Sequence, residues 1–334
     1  MTKAVGPVNV SGDTKKTHTR IVAADAAAIA DAAAVLRDGG LVAFPTETVY
    51  GLGARAGDPR AVAALYAAKG RPSFNPLIAH IHALEEARRL GGFNAVALAL
   101  AAKFWPGPLT IVVKANQNEG VCELARAGLD TVAIRMPSHP VARALLAATG
   151  FPVVAPSANR SGHVSPTRAA HVAEDLAGKI DLILDGGPSE GGIESTIVDC
   201  SREMPRLLRS GGIARKAIEA ITGPLAAAAM DEVSAPGMMT SHYAPNARMR
   251  LDAGDVRDGD ALLAFGPLPA DADKAGTILN LSARGDLTEA ASNLYAHLRA
   301  LDATGAQTIA VMPIPREGLG EAIRDRLKRA AAPR

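Results

Sequence analysis

From Ile21 onward the chain alternates between two kinds of apolar pattern. Alanine-rich stretches such as AADAAAIADAAAVLRDGG read as helix. Between them stand short apolar runs rich in β-branched residues: LVAFP, LTIVV, TVAIRMP, FPVVAP, DLILDGG and STIVDC. Helices interleaved with such strands predict an α/β or α+β sheet protein. The first helix carries its own stop signal. Asp38-Gly39-Gly40 tolerates the left-handed conformation that ends a helix, and Leu41 to Phe44 then reads as the strand that leads into Pro45.

This alternation closes near Ile213, at RLLRSGGI. ARKAIEAI follows as a helix, and GPLAAAAMDEVSAPGMMTSHYAPNA then loses both periods and reads as a linker. Beyond it, RMRLDAG, ALLAFG, AGTILNLS and TIAVMPIP read as strands, and DLTEAASNLYAHLRALDATG and LGEAIRDRLKRAA as helices, which makes a second small α/β unit. The predicted organisation is a tail over 1–19, a main domain over 20–215, a helix and linker over 216–247, and a small α/β domain over 248–334. No internal repeat relates the two halves.

With 334 residues and 48% hydrophobic positions, the chain has apolar material for two domains. Its 36 Lys and Arg nearly cancel 34 Asp and Glu, so it lacks the bulk basic field on which nonspecific nucleic-acid binding relies. Any anion site must therefore be built locally. Cys122 and Cys200 lie far apart, which argues against a zinc site or a disulfide framework and fits a reducing compartment. No apolar run reaches the roughly 20 residues that cross a bilayer, and the first twenty residues lack the apolar core of a signal peptide. A soluble, cytoplasmic protein with no membrane partner is expected.

Candidate chemistry collects at strand and helix ends. KGRPSFNPL, Lys69 to Leu77, sets Lys69 and Arg71 beside Gly70, with Pro72 and Pro76 stiffening the backbone and Asn75 adding an amide. Such a loop loses little entropy on binding a polyanion, and it reads equally as a helix C-cap in which Lys and Gly are simply favoured. FPTETVYGLGARA delivers Thr46, Glu47, Thr48 and Tyr50 to a strand-to-loop exit, where α/β proteins place ligands; the alternative is a polar turn that satisfies its own backbone. Its glycines spell neither a dinucleotide fingerprint nor a Walker loop. In TVAIRMP, Arg135 interrupts an apolar strand. If buried it needs an anion, such as Glu194, Asp199 or the carboxylate of a ligand, and if strand alternation turns it outward it needs none. VVAPSANRSGHVSPT breaks into Ser157, Asn159, Ser161, Gly162, Ser165 and Thr167, either small donors around a ligand or a plain serine-rich loop. Ser195 and Thr196 in GGIESTIVD, and Arg209 in LLRSGG, repeat the theme.

Together these stretches describe a concave site for a charged small molecule bearing phosphate, with a second polar ligand. His80, Ser157 and Ser195 could in principle meet as a nucleophile and base, but no GxSxG elbow is present. Charge stabilisation by positioned cations fits better than a covalent enzyme intermediate.

In this order PTETVYGLG, KGRPSFNPLIAHI, WPGPLTIVV, VAIRMPSHP, APSANRSG, ESTIVD and LLRSGGI resemble the YrdC-like family, and the whole chain resembles the long, two-domain threonylcarbamoyl-AMP synthases. The likeness spans about Thr19 to Ile213, and APGMMTSHYAP carries it toward the second domain. The family's KxR and SxN pair stands here as Lys69, Arg71, Ser157 and Asn159.

The resemblance implies a twisted α/β sheet around a cationic cavity, then a linker and a small Rossmann-like α/β domain. It implies a nucleotidyltransferase that joins L-threonine, bicarbonate and ATP into threonylcarbamoyl-AMP and releases pyrophosphate, for threonylcarbamoyladenosine beside the anticodon of tRNA. Its partner would be a downstream threonylcarbamoyl transferase complex, with tRNA met only indirectly. Carried over residue by residue, Lys69 and Arg71 would be catalytic. Arg71, Asn75, Thr131, Ser157, Asn159, Ser165, Arg209 and Tyr243 would hold ATP, and Thr46, Thr48, His80, Arg135 and Ser195 would hold threonine. Mg2+ would arrive with the nucleotide, without a dedicated metal residue. The linker would be a mobile lid, with Tyr243 reaching the nucleotide; MMTS stands before HYAP where a basic residue is expected, which leaves His242 as its substitute. Two rival readings remain: an RNA-binding module, disfavoured by the charge balance and 3% aromatic content, and carbamoyl transfer in metalloenzyme maturation, which lacks its zinc-finger cysteines here.

Overall fold

The computed structural model describes residues 18–116, 120–226 and 242–333. The predicted tail lies almost wholly outside these residues, as do positions 227–241 of the linker, including MMTS of the expected lid. Among the described residues the strands form two sheets, one of eleven strands and one of four.

Local signals set the helices. Asp25 accepts the Ala28 amide at 2.8 Å to start Ala26–Arg37, and Gly39 at φ 84° follows its end. Pro59–Lys69 starts on Asp58, which accepts the Arg60 amide at 2.8 Å, and stops on Gly70 in the left-handed region at φ 59°. The C-cap reading of KGR is therefore correct as local structure, and that stop is what turns Arg71 off the helix axis.

The strands Val42–Phe44, Leu109–Ala115, Thr131–Arg135, Val153–Val154, Leu182–Asp185 and Thr196–Asp199 form where the apolar runs lie. One further strand, Gly51–Arg55, was expected as loop. It pairs antiparallel with Val42–Phe44. Its glycines are there for packing, because a Cβ on Gly53 would lie 3.0 Å from both the Phe44 ring and a Val153 methyl.

Alternation then sorts the central strands. Ile111, Val113, Val132 and Ile134 pack with Ala97, Leu100 and Ile218 of the helices Ala95–Phe104 and Arg215–Thr222. The residues between them, Thr110 and Arg135 included, face the other way.

The four-stranded sheet is wholly parallel, in the spatial order Arg248–Arg250, Thr308–Val311, Ala261–Ala264, Thr277–Asn280. Of its three crossovers only the last is an α-helix, Leu287–Ala303; the second carries a single 3₁₀ turn, Ala272–Lys274. Val49, Val164 and Ile193 share one apolar cluster with Leu263, Leu294, Leu298 and Ile323, so a single core spans both sheets' layers. No helix among the described residues is long and apolar enough to cross a membrane.

Candidate active site

Five strands in register build the site. His80 stands opposite Arg135, Arg135 opposite Thr110, Thr110 opposite Ile197, and Ile197 opposite Arg209. Cross-strand partners project from the same face, so these residues form one row on the side away from the helices. Two residues along, Ile78, Ala133 and Val112 make an apolar strip beside it.

That row walls a cavity. Of the residues singled out from the sequence, Thr48, Arg71, His80, Arg135, Ser157, Ser195, Arg209 and Tyr243 line it, together with Glu194 and His242. All the arginines in it are buried. Arg135 is only 4% exposed, and its partner is neither of the carboxylates expected: Glu194 is bound to Arg326 and Asp199 to Arg206. Glu47 takes the role, with Oε1 2.7 Å from Arg135 Nη2, while Glu47 Oε2 accepts the Ser138 amide at 3.2 Å. The ion pair is close but misaligned, and both Nε and Nη2 of Arg135 lack a hydrogen-bond partner. Arg71 is in a similar condition. Its Nη2 donates to the carbonyl of Pro76 at 3.1 Å, its Nε has no partner, and burial lowers its pKa to about 10. Arg209 is better held, with Nη2 donating to the Ser195 carbonyl at 2.9 Å and to Ser195 Oγ at 3.0 Å.

The remaining predicted residues act around the cavity. Thr46 donates to the Val49 carbonyl at 2.6 Å, so the hydroxyl contact between Thr46 and Thr48 at 2.8 Å has Thr48 as donor, which turns the Thr48 lone pairs elsewhere. Thr46 thus shapes the turn and Thr48 faces the cavity. Tyr50 points away and donates to the Gly187 carbonyl at 2.7 Å. The Lys69 ammonium donates to the carbonyls of Ser157 and Asn159, so the KxR loop grips the SxN loop, and Lys69 does not line the cavity. Burial, and then Arg71 beside it, push the Lys69 pKa well down. Asn159 donates to the carbonyls of Arg160 and His163, both at 2.8 Å, and Ser165 donates to Glu194 at 2.7 Å. Buried Asn75 offers its own carbonyl to Tyr66 at 3.1 Å. Thr131 is on the same strand face as Arg135 but roughly 13 Å along it, and it lines a separate cavity of about 480 Å³.

His80 and the serines form no nucleophile pair. Burial, and then the charge of Arg135, lower the His80 pKa to about 3, and its Nδ1 lies 3.1 Å from the Ile78 carbonyl. Ser195 Oγ is already shared between Thr110, at 2.8 Å, and Arg209.

Tyr243 closes the cavity from the linker side. It sits at φ 63°, a region uncommon for a residue with a side chain, and stacks on Tyr295 with ring centroids 5.5 Å apart. The amide of Ala244 on the carbonyl of Gly162 at 2.8 Å and that of His242 on Arg329 at 3.2 Å hold it there. The enclosed volume is about 50 Å³, too small for a nucleotide, since pockets for drug-sized ligands run to about 300–1,000 Å³. A larger cavity, about 570 Å³ beside Val311, Ile314 and Asp325, contains none of the predicted residues. Volume is the poorer guide here: the small cavity is the one that gathers buried cations short of partners.

Sequence reasoning missed Thr110, an ordinary strand residue, and two side chains from the second sheet's helices, Tyr295 and Arg326. Arg326 had a signal. It falls among Gly320, Ile323, Leu327 and Ala330 on the apolar face of LGEAIRDRLKRAA, a place a solvated arginine avoids.

Known proteins resemble the whole of this architecture. A family model described as telomere recombination, Sua5/YciO/YrdC, matches residues 34–211, and one described as threonylcarbamoyl-AMP synthase, C-terminal domain, matches residues 213–332. The threonylcarbamoyl-AMP synthase of Bacillus subtilis is 42% identical over 92% of this chain and 93% of its own length, and that of Pyrococcus abyssi 42% identical over 90% and 93%. The crystal structure of P. abyssi Sua5 complexed with L-threonine superposes with a TM-score of 0.83, covering 91% of this chain and 94% of that one at 39% identity.

Proposed function

This chain belongs to the Sua5/YciO/YrdC family in its two-domain, threonylcarbamoyl-AMP synthase form, an ATP-using enzyme family, and from that premise we propose that it joins L-threonine, bicarbonate and ATP into threonylcarbamoyl-AMP for the modification of tRNA beside the anticodon. The observation that carries the reading is the row across five strands, which brings Arg135, with two buried nitrogens that make no hydrogen bond, into one cavity with Arg71 and Arg209. A buried guanidinium in that state is a site for an anion.

Threonine places its carboxylate on Arg135, in place of the misaligned Glu47, with Ser195 and Thr48 at its flanks and neutral His80 against the rest of the molecule. The P. abyssi relative crystallised with L-threonine supports this choice of ligand. The amine attacks bicarbonate to give a carbamate and water. A carbamate oxygen then bonds to the α-phosphorus of ATP as the bond from that phosphorus to the bridging oxygen of pyrophosphate breaks. Arg71 and Arg209 face the charge that builds on the phosphates, and Lys69 contributes by fixing the loop that carries Ser157 and Asn159. The other expected ATP contacts, Asn75, Thr131, Asn159, Ser165 and Tyr243, belong to this proposal. ATP enters as its magnesium complex. Glu194 is bound to Arg326, Tyr295 and Ser165, so it is not offered as a ligand to that ion. Tyr243 and His242 must move to admit the nucleotide, and their return would keep water from the mixed anhydride.

The test is pyrophosphate release from ATP by the purified protein with and without threonine and bicarbonate, beside Arg71→Ala. Release that needs both co-substrates and collapses in the variant supports the proposal. ATP binding without threonine-dependent release, or RNA that displaces ATP, overturns it.

A further inference from the structure

The second sheet's helices reach the cavity wall at one point. Leu319–Ala330 turns Arg326, which has no exposed surface, onto Glu194. Its Nε donates to Glu194 Oε2 at 2.7 Å and its Nη2 to the Ser210 carbonyl at 2.9 Å. Tyr295, from Leu287–Ala303, donates its hydroxyl to the same carboxylate at 2.8 Å, and Ser165 does so at 2.7 Å. Glu194 and Ser210 are chain neighbours of Ser195 and Arg209, so one side chain braces both segments of the anion site. Those segments pack directly on each other, for a Cβ on Gly211 would lie 2.4 Å from the Glu194 carbonyl oxygen.

A carboxylate is out of place in this lining. An ionised Glu194 beside Arg71, Arg135 and Arg209 repels phosphate and competes for Arg209. Burial by itself would raise its pKa, but Arg326 and then Arg209 outweigh burial and bring it to about 2, so the group is charged at neutral pH. What makes the charge harmless is its partner.

We propose that Arg326 is a positioning residue for the nucleotide, which neutralises Glu194 and thereby leaves Arg209 to the phosphates of ATP. The inference rests on the ATP site proposed above and gives the second domain a share in it. Its rival is a plain tie between domains with no bearing on the nucleotide.

The two are separated by ATP affinity at pH 8, measured by equilibrium binding on the full chain together with the unfolding midpoint. Arg326→Met is expected to weaken ATP binding about tenfold or more, the effect of one uncompensated charge in a poorly solvated site. E194Q/R326M, which also lacks the ion pair, is expected to recover to within about threefold of the unmodified protein, as a double-mutant cycle on a coupled pair requires. Unchanged affinity in Arg326→Met, or a double variant as weak as the single one, overturns the inference. If Arg326→Met does not fold, Glu194→Gln alone decides: it leaves the Arg326 charge uncompensated, so binding tighter than the unmodified protein supports neutralisation, and equal or weaker binding overturns it. The unmodified protein reports on the underlying reading. If it binds no ATP, both fall; if it does and the variants match it, only the role of Arg326 falls.

Discussion

Arg135 and Arg326 are both buried guanidiniums, and the protein treats them in opposite ways. Every nitrogen of Arg326 is engaged: Nε with Glu194, Nη1 with Asp325 at 2.7 Å, Nη2 with the Ser210 carbonyl. Arg135 has one misaligned carboxylate, and its Nε and Nη2 are left without hydrogen bonds. Burying a charge is costly unless its donors are met, so a fully met arginine is part of the fold while an under-met one is kept for something that arrives later. The contrast singles out the candidate site more sharply than cavity volume does.

The contrast breaks most visibly through stability. Arg326→Ala strands the Glu194 carboxylate in the interior and is expected to cost about 3–5 kcal/mol in denaturant unfolding; a loss below about 1 kcal/mol would mean that the network is dispensable. Arg135→Ala should do the reverse. Its partner Glu47 also borders a cleft of about 330 Å³, where water can take over, so the unfolding midpoint should hold while threonine-dependent kcat/KM falls on the order of a hundredfold. An Arg135→Ala protein that unfolds as easily as Arg326→Ala would erase the distinction. Gly53→Ala is a control away from either arginine: the added methyl meets Phe44 and Val153 at 3.0 Å and should destabilise by about 1–3 kcal/mol through overpacking, with ATP and threonine KM unmoved in the protein that remains folded.

The smallest effect is acid sensitivity. Glu194 has a folded pKa of about 2 against an ordinary 4.5. Its depressed value means that the stabilisation it brings is complete above pH 4.5 and is lost as pH falls toward 2, where the folded form must also take up the proton. E194Q/R326M should therefore show a shallower fall of the unfolding midpoint between those pH values. Identical acid profiles would show that other groups carry the dependence.

Much of this was legible along the chain because the signals are local. Asp25, Asp58, Gly39 and Gly70 bound their helices by hydrogen bonds and φ angles within a few residues, and the apolar runs name their strands. The polar exits at Thr46–Thr48, Lys69–Arg71 and Ser157 are visible for the same reason. Gly51–Arg55 was not, because glycine reads as a loop signal unless one knows that Phe44 will lie across it.

What the chain by itself determined is which elements form and which side chains stand at their ends; Arg135 between apolar neighbours needed an anion only if it was buried, and the structure buries it. Tertiary structure alone decided which anion. Register aligns His80, Arg135, Thr110 and Arg209 across strands remote in sequence, and it brings Glu47 rather than Glu194 or Asp199 to Arg135. Arg326 reaches Glu194 in the cavity wall only because a shared apolar core presses the second domain against the first. Pairing and packing between distant segments depend on the whole set of contacts at once, and no local run of residues encodes that sum.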